Sequence, residues 1–158
     1  VTIDYLKLQL EAGADAVQLF ESAAHLLDDA TYREFALPYQ QQVFDALGTT
    51  APTIMFARDG GNAGLLKESG ASIISLSTAV SIAQARAELG ENTIVQGNLD
   101  NELLADGDEQ AIADAVRRIV AEGECRGHIF NLSHGLLKHT PFDRVCRLIE
   151  QVKEAAES

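Results

Sequence analysis

Polar and small residues gather at five points of the chain, each directly after a short apolar run. These are Phe20-Glu21-Ser22-Ala23-Ala24-His25, Ala57-Arg58-Asp59-Gly60-Gly61, Ser75-Leu76-Ser77-Thr78, Gln96-Gly97-Asn98-Leu99-Asp100 and Asn131-Leu132-Ser133-His134-Gly135. His134, between Ser133 and Gly135, either binds a carboxylate or moves a proton, or else caps the helix that follows. Arg58 beside Asp59 either clamps an anion or pairs with its neighbours. Glu21 is a buried acid or a capping group. His25, His128 and His139 read as surface or packing histidines. Turns collect Gly, Asn, Asp and Ser for conformational reasons alone, but five such clusters in the same position relative to the apolar runs point to a shared cleft.

Other chemistries find less support. Cys125-x-x-His128 has ligand-like spacing, with His134 and Cys146 further on. Cys125, however, precedes an apolar run, at the end opposite the cleft, and Cys146 falls on an amphipathic face, so no metal is expected. Gly-x-Gly-x-x-Gly, the P-loop and Gly-x-Ser-x-Gly are all missing from the sequence, which leaves a dinucleotide enzyme or a nucleophile-elbow hydrolase without a signature.

The elements that must position these residues alternate along the chain. Helices are predicted at 2–12 (stopped by Gly13), Ala30–Leu47 with a kink at Pro38, Ala63–Ser69, Ala79–Leu89, Glu109–Glu122 and Asp143–Ala155, with Asp28 or Asp29 capping the second. Strands are predicted at Ala14–Phe20, Pro52–Ala57, Ser72–Leu76, Thr93–Gln96 and Gly127–Leu132, separated by loops such as Arg58–Asn62. Continuous apolar runs of this length read as parallel strands buried on both faces. Five strands alternating with six helices make an α/β fold. That is too few for a whole (β/α)8 barrel, which takes about 250 residues, and fits either a small doubly wound sheet or the second half of a barrel. In both, working residues lie at the carboxyl ends of the strands.

Composition narrows the function classes. Of 158 residues, 46% are hydrophobic, 23% charged and 6% aromatic, which is globular usage in one domain. Twelve basic residues against 24 acidic ones give a net charge of −12, a surface that repels nucleic-acid phosphates and anionic lipid. No apolar run approaches the roughly 18 residues of a membrane span, and the start lacks the pattern of a secretory signal. Two cysteines form no disulfide framework and fit a reducing, cytoplasmic setting. The chain opens on Val1 without Met and runs at once into a helical pattern, as a piece of a longer protein would.

In order and spacing, Ala12-Gly13-Ala14-Asp15-Ala16-Val17-Gln18-Leu19-Phe20-Glu21-Ser22, Phe35-Ala36-Leu37-Pro38-Tyr39, Gln96-Gly97-Asn98-Leu99-Asp100 and His128-Ile129-Phe130-Asn131-Leu132-Ser133-His134-Gly135 resemble the carboxyl-terminal half of the uroporphyrinogen decarboxylase family. The similarity runs from about Tyr5 to Val152. It implies that residues 1–158 form a single partial barrel domain, the second half of a (β/α)8 TIM barrel with its amino-terminal half absent. It further implies a carboxy-lyase of porphyrin and heme biosynthesis that converts uroporphyrinogen III to coproporphyrinogen III, without cofactor or metal, as a homodimer. Ser22 and His134 match family positions that contact the carboxylate side chains of the tetrapyrrole, His134 with a catalytic role, and Arg58 falls where the family often carries a basic residue.

The chemistry fits. Decarboxylation at a pyrrole needs a protonated ring as electron sink, a carboxylate to hold the pyrrole N–H groups, and arginines to neutralise the substrate. The family's arginine-rich loop, pyrrole-binding aspartate and active-site tyrosine lie before the position of Val1, so this chain carries one wall of the cleft and is expected to be inactive alone. Departures occur at Ser75-Leu76-Ser77-Thr78, where the family has Gly-Leu-Asp-Trp, and at Ala23, His25, Asn101 and Ser133. They fit a divergent paralogue that binds a tetrapyrrole without chemistry. A corrinoid methyltransferase-like relative fits less well, since that group's zinc-binding His-x-Cys does not occur here.

Overall fold

Each apolar run becomes a strand, and each amphipathic run a helix laid against it. The computed structural model describes residues 1–58, 63–124 and 126–157. In chain order the elements are α1 (Thr2–Glu11), β1 (Val17–Glu21), a 3₁₀ turn (Ala24–Leu26), α2 (Asp29–Phe35), α3 (Leu37–Leu47), β2 (Thr53–Ala57), α4 (Ala63–Lys67), β3 (Ile73–Ser75), α5 (Ile82–Leu89), β4 (Ile94–Leu99), α6 (Asn101–Asp106), α7 (Glu109–Gly123), β5 (His128–Leu132) and α8 (Phe142–Glu157). All strand pairs are parallel and the spatial order is β1-β2-β3-β4-β5, identical to the chain order. That order is a segment of a (β/α)8 barrel wall. A doubly wound sheet would reverse at a switch point.

The two faces of the sheet differ. Val17, Met55, Ala57, Ile74, Val95 and Leu99 belong to the main core, packed under the helices with Leu65, Ile82, Val116, Ile119 and Leu148. The alternate residues Gln18, Phe20, Ile54, Phe56, Ile73, Ser75 and Gln96 stand on the other face, as the period of two requires. Gln96 Nε2 donates to Gln18 Oε1 at 3.2 Å, although β2 and β3 separate their strands. Only strong curvature brings the two side chains together, so this face is concave. Burial on both faces holds for β2 and β3 throughout, and for β4 beyond exposed Ile94. The margins β1 and β5 are only partly covered, each having a neighbour on one side.

Several expectations are corrected. The kinked helix over Ala30–Leu47 is two helices broken at Ala36, with Pro38 in the first turn of α3, where its missing N–H costs nothing. Asp28 caps α2, accepting from the Thr31 N–H at 2.7 Å, and that bond holds its carboxyl below the ordinary value. Strand β4 continues through Gly97 and Asn98 to Leu99 rather than stopping at Gln96, and α6 follows at once on an Asp100 cap. Helix α5 starts at Ile82 rather than Ala79, because Ser81 and Gln84 form a reciprocal capping box. Among the described residues no helix is long and apolar enough to cross a membrane.

Candidate active site

The carboxyl ends of the strands form one rim, and the positions singled out in the sequence lie along it. Ser22 directly follows β1 and Arg58 directly follows β2; both side chains are exposed. The Arg58 N–H donates to the Glu21 carbonyl at 3.1 Å, so the two rim segments are neighbours. Glu21 turns its carboxylate back to the Ala23 N–H at 3.3 Å, which makes it a capping group rather than a buried acid. Asp59, Gly60, Gly61 and Asn62 lie outside the described residues, so the Arg58–Asp59 clamp is described only at its arginine.

His134 reaches the same rim from the far margin. Its backbone is held on both sides: the Ser133 N–H donates to the Leu99 carbonyl at 2.7 Å, and Asn101 Nδ2 donates to the Gly135 carbonyl at 2.8 Å. The half-buried imidazole meets the Phe56 ring edge-on, with centroids 5.9 Å apart. Phe56 in turn packs against Phe20, its cross-strand partner, at 5.4 Å. His134 therefore leans over the concave face and does not cap α8, which begins only at Phe142.

Beneath these rings lies a neutral floor. Gln96 Nε2 donates to both Gln18 Oε1 and Ser75 Oγ, each at 3.2 Å, and Gln96 and Ser75 are buried. Ser75, one of the departures from the resemblance, is thus absorbed into a hydrogen bond. Asn98 stands at the same end of the sheet, but its Nδ2 is committed to the Ser77 and Val80 carbonyls, at 2.8 and 2.7 Å, and closes the loop before α5.

The remaining histidines serve packing or surface roles. His25 is exposed, and His139 pairs with Asp106 at 3.1 Å on the surface. His128 sits at the opposite end of the sheet, half-buried, its Nε2 2.7 Å from the Gly97 carbonyl. Burial, the largest influence, holds its imidazole below the ordinary 6.5. Cys125 lies outside the described residues; among those described, no group of His, Cys, Asp or Glu is placed to hold a metal ion.

The strand-end reading named Ser22, Arg58 and His134, which lie along one rim, but gave no role to Phe20 or Gln96 within its clusters and left out Phe56 and Gln18. A signal was present: a glutamine at the middle of an otherwise apolar strand must find a partner, as Gln18 and Gln96 do.

The arrangement joins an exposed hydroxyl, a guanidinium and an imidazole to an aromatic wall over an uncharged floor. Such a cleft suits a flat apolar ring that carries anionic side chains. A family model described as "Uroporphyrinogen decarboxylase (URO-D)" matches residues 1–155. The chain is 43% identical over 154 residues to the uroporphyrinogen decarboxylase of Nostoc punctiforme, covering 95% of this chain and 43% of that protein. It is 41% identical over 156 residues to that of Gloeobacter violaceus, covering 96% and 45%. The chain therefore spans somewhat less than half the length of the curated relatives it matches. Among solved structures, a methyltransferase from Methanosarcina mazei superposes with a TM-score of 0.83 at 19% identity, over 97% of this chain and 46% of that one. This likeness shows the fold alone.

Proposed function

The chain belongs to the uroporphyrinogen decarboxylase family, and from that premise we propose that it forms one wall of a cleft in which uroporphyrinogen III loses its acetate carboxyls to become coproporphyrinogen III. The observation that carries this reading is the convergence of Ser22, Arg58 and His134 on one rim, above an aromatic wall that ends in the contact between Phe56 and His134.

In this reading the Arg58 guanidinium and the Ser22 hydroxyl hold carboxylate side chains of the tetrapyrrole. Exposed Phe20 lies against a pyrrole face. His134 donates to a carboxylate and, as a catalytic group, carries a proton at the rim. Protonation of the pyrrole carbon makes the ring an electron sink. The bond to the carboxyl carbon then breaks, its electrons enter the ring, and carbon dioxide leaves; the methylene left behind takes up a proton to become methyl, and the ring carbon gives back the proton it had taken, which restores the pyrrole. The described carboxylates at these strand ends are turned back on their own backbone, Glu21 on the Ala23 N–H and Asp100 on the Glu102 N–H, so neither is aimed at the pyrrole N–H groups. The proton donor and most of the arginines belong to the remainder of the relatives' length. The reaction as read here uses no cofactor and no metal. On the same reading the whole protein is a cytoplasmic homodimer.

The test compares the 158-residue chain with the natural polypeptide that contains it. Each is incubated anaerobically with uroporphyrinogen III, and the products are separated by carboxyl number after oxidation. The expected result is saturable binding by both, decarboxylation by the longer polypeptide only, and at least about tenfold weaker binding for Ser22→Ala, Arg58→Leu and His134→Ala. Absence of binding by both would overturn the reading. Binding by the longer polypeptide without loss of carbon dioxide would leave a tetrapyrrole-binding paralogue.

A further inference from the structure

Phe56 is buried, so no ligand in the cleft touches much of its ring, yet it stands at the centre of the rim. It packs on Phe20 on one side and on His134 on the other. Two strands separate β2 from β5 in the sheet, and the curvature that lets Gln96 reach Gln18 also brings the β5 loop over Phe56. The backbone on both sides of His134 is already fixed by Leu99 and Asn101. What remains free is the direction of the imidazole. An edge-to-face contact with a ring that is itself held in place selects one rotamer over the alternatives by about 2- to 10-fold.

We infer that Phe56 is the positioning residue for His134, turning its imidazole across the concave face toward the rim that carries Ser22 and Arg58. Phe56 makes no contact with substrate in this arrangement; it acts only through the histidine. The functional half of this inference rests on the decarboxylase reading, whereas the structural half does not.

The experiment therefore has two independent arms. In the first, the labelled 158-residue chain is studied by NMR with no ligand. The expected result is a nuclear Overhauser contact between the Phe56 and His134 rings, and His134 ring-proton shifts that move in Phe56→Leu but hold in Phe56→Tyr. A wild-type chain without that contact overturns the inference and needs no variant to fold. In the second arm, uroporphyrinogen binding is measured for Phe56→Leu, His134→Ala and the double variant. Phe56→Leu is expected to weaken binding by about 2- to 10-fold, and the double variant no more than His134→Ala alone, since a residue that acts through another loses its effect when that other is removed. An equal loss from Phe56→Leu in both backgrounds assigns Phe56 a general structural role and overturns the positioning inference. If wild type binds no uroporphyrinogen, the decarboxylase reading fails while the first arm still decides the contact.

Discussion

At the residue scale, the histidine that the chemistry ignores gives the sharpest pH prediction. His128 is enclosed by α7 and the turn after it. A Cβ placed on Gly123 would come within 2.4 Å of His128 Nδ1, so glycine at that position is what lets the ring lie there. Its Nε2 contacts the Gly97 carbonyl at 2.7 Å. Burial is the largest influence and, with the Arg86 charge from α5, opposes a proton on the ring; together they outweigh the Gly97 carbonyl and the Glu122 carboxylate from α7, which favour one. The folded chain thus binds a proton less readily than the unfolded chain. Stability from this site is complete above the ordinary value of 6.5 and is lost as pH falls through it toward the depressed folded value. The melting temperature of the wild type is expected to drop between pH 7.5 and 5.5 by more than that of His128→Gln, which keeps a donor for Gly97 but does not titrate. Equal slopes in thermal melts of the two proteins would refute this. The sequence placed His128 correctly among packing histidines, but its partner Gly97 lies on another strand, and no local pattern reports such a contact.

At the scale of elements, the order of strands and helices was legible because each strand is a continuous apolar run and each long helix carries a face of period 3.6. Boundaries were less so. Pro38 signals a break, and whether the break is a kink or the start of a new helix is decided by tertiary packing around Ala36 and Tyr32, whose hydroxyl bonds Gln40 in the core. β4 ran past its predicted end because Gly97 and Asn98, turn formers by composition, are paired with Phe130 and Asn131 of β5, while the Asn98 side chain holds the loop after β3. The joint between α5 and α7 rests on Arg86, an almost wholly buried arginine on α5. Its guanidinium donates to the carbonyls of Glu122, at 3.0 Å, and Gly123, at 3.1 Å, and to that of Arg126, closing the carboxyl end of α7. Replacing it by Met leaves those acceptors without their donor, the Gly123 carbonyl in the interior and those of Glu122 and Arg126 half-buried. Arg86→Met is expected to cost about 3 kcal/mol, read as a lower midpoint in urea unfolding. Arg86→Lys should recover only part of the loss, because an ammonium cannot span three carbonyls as the planar fork does.

At the scale of the whole molecule, the distribution of apolar surface is uneven in an informative way. Helices α4 to α7 expose no large apolar side chain. Tyr5 and Leu8 on α1, Phe35 and Tyr39 around the α2–α3 junction, Phe20, Ile94 and Ile129 on the sheet, and Leu136, Phe142 and Ile149 around α8 are all exposed. The middle of the helical layer is finished as a water-facing surface, while the sheet and its flanks are not. Beside β5 an apolar groove of about 300 Å³ runs along Phe130, Leu132, Leu148, Ile149 and Val152, next to an unpaired strand margin. An apolar flank with an open parallel edge favours association, and a net charge of −12 on each copy opposes it. These two terms respond oppositely to salt. Raising ionic strength from about 0.01 M to about 1 M shortens the screening length from about 30 Å to about 3 Å and removes most of the repulsion, while burial of apolar surface is left intact or strengthened. The mass of the 158-residue chain by light scattering is therefore expected to rise with salt, and the double variant Ile129→Lys, Ile149→Glu should suppress that rise. A wild-type chain that stays monomeric across the whole range would show that the exposed flanks are too small or too curved to associate. A mass that falls with salt would show that ion pairs, not apolar contact, hold the copies together.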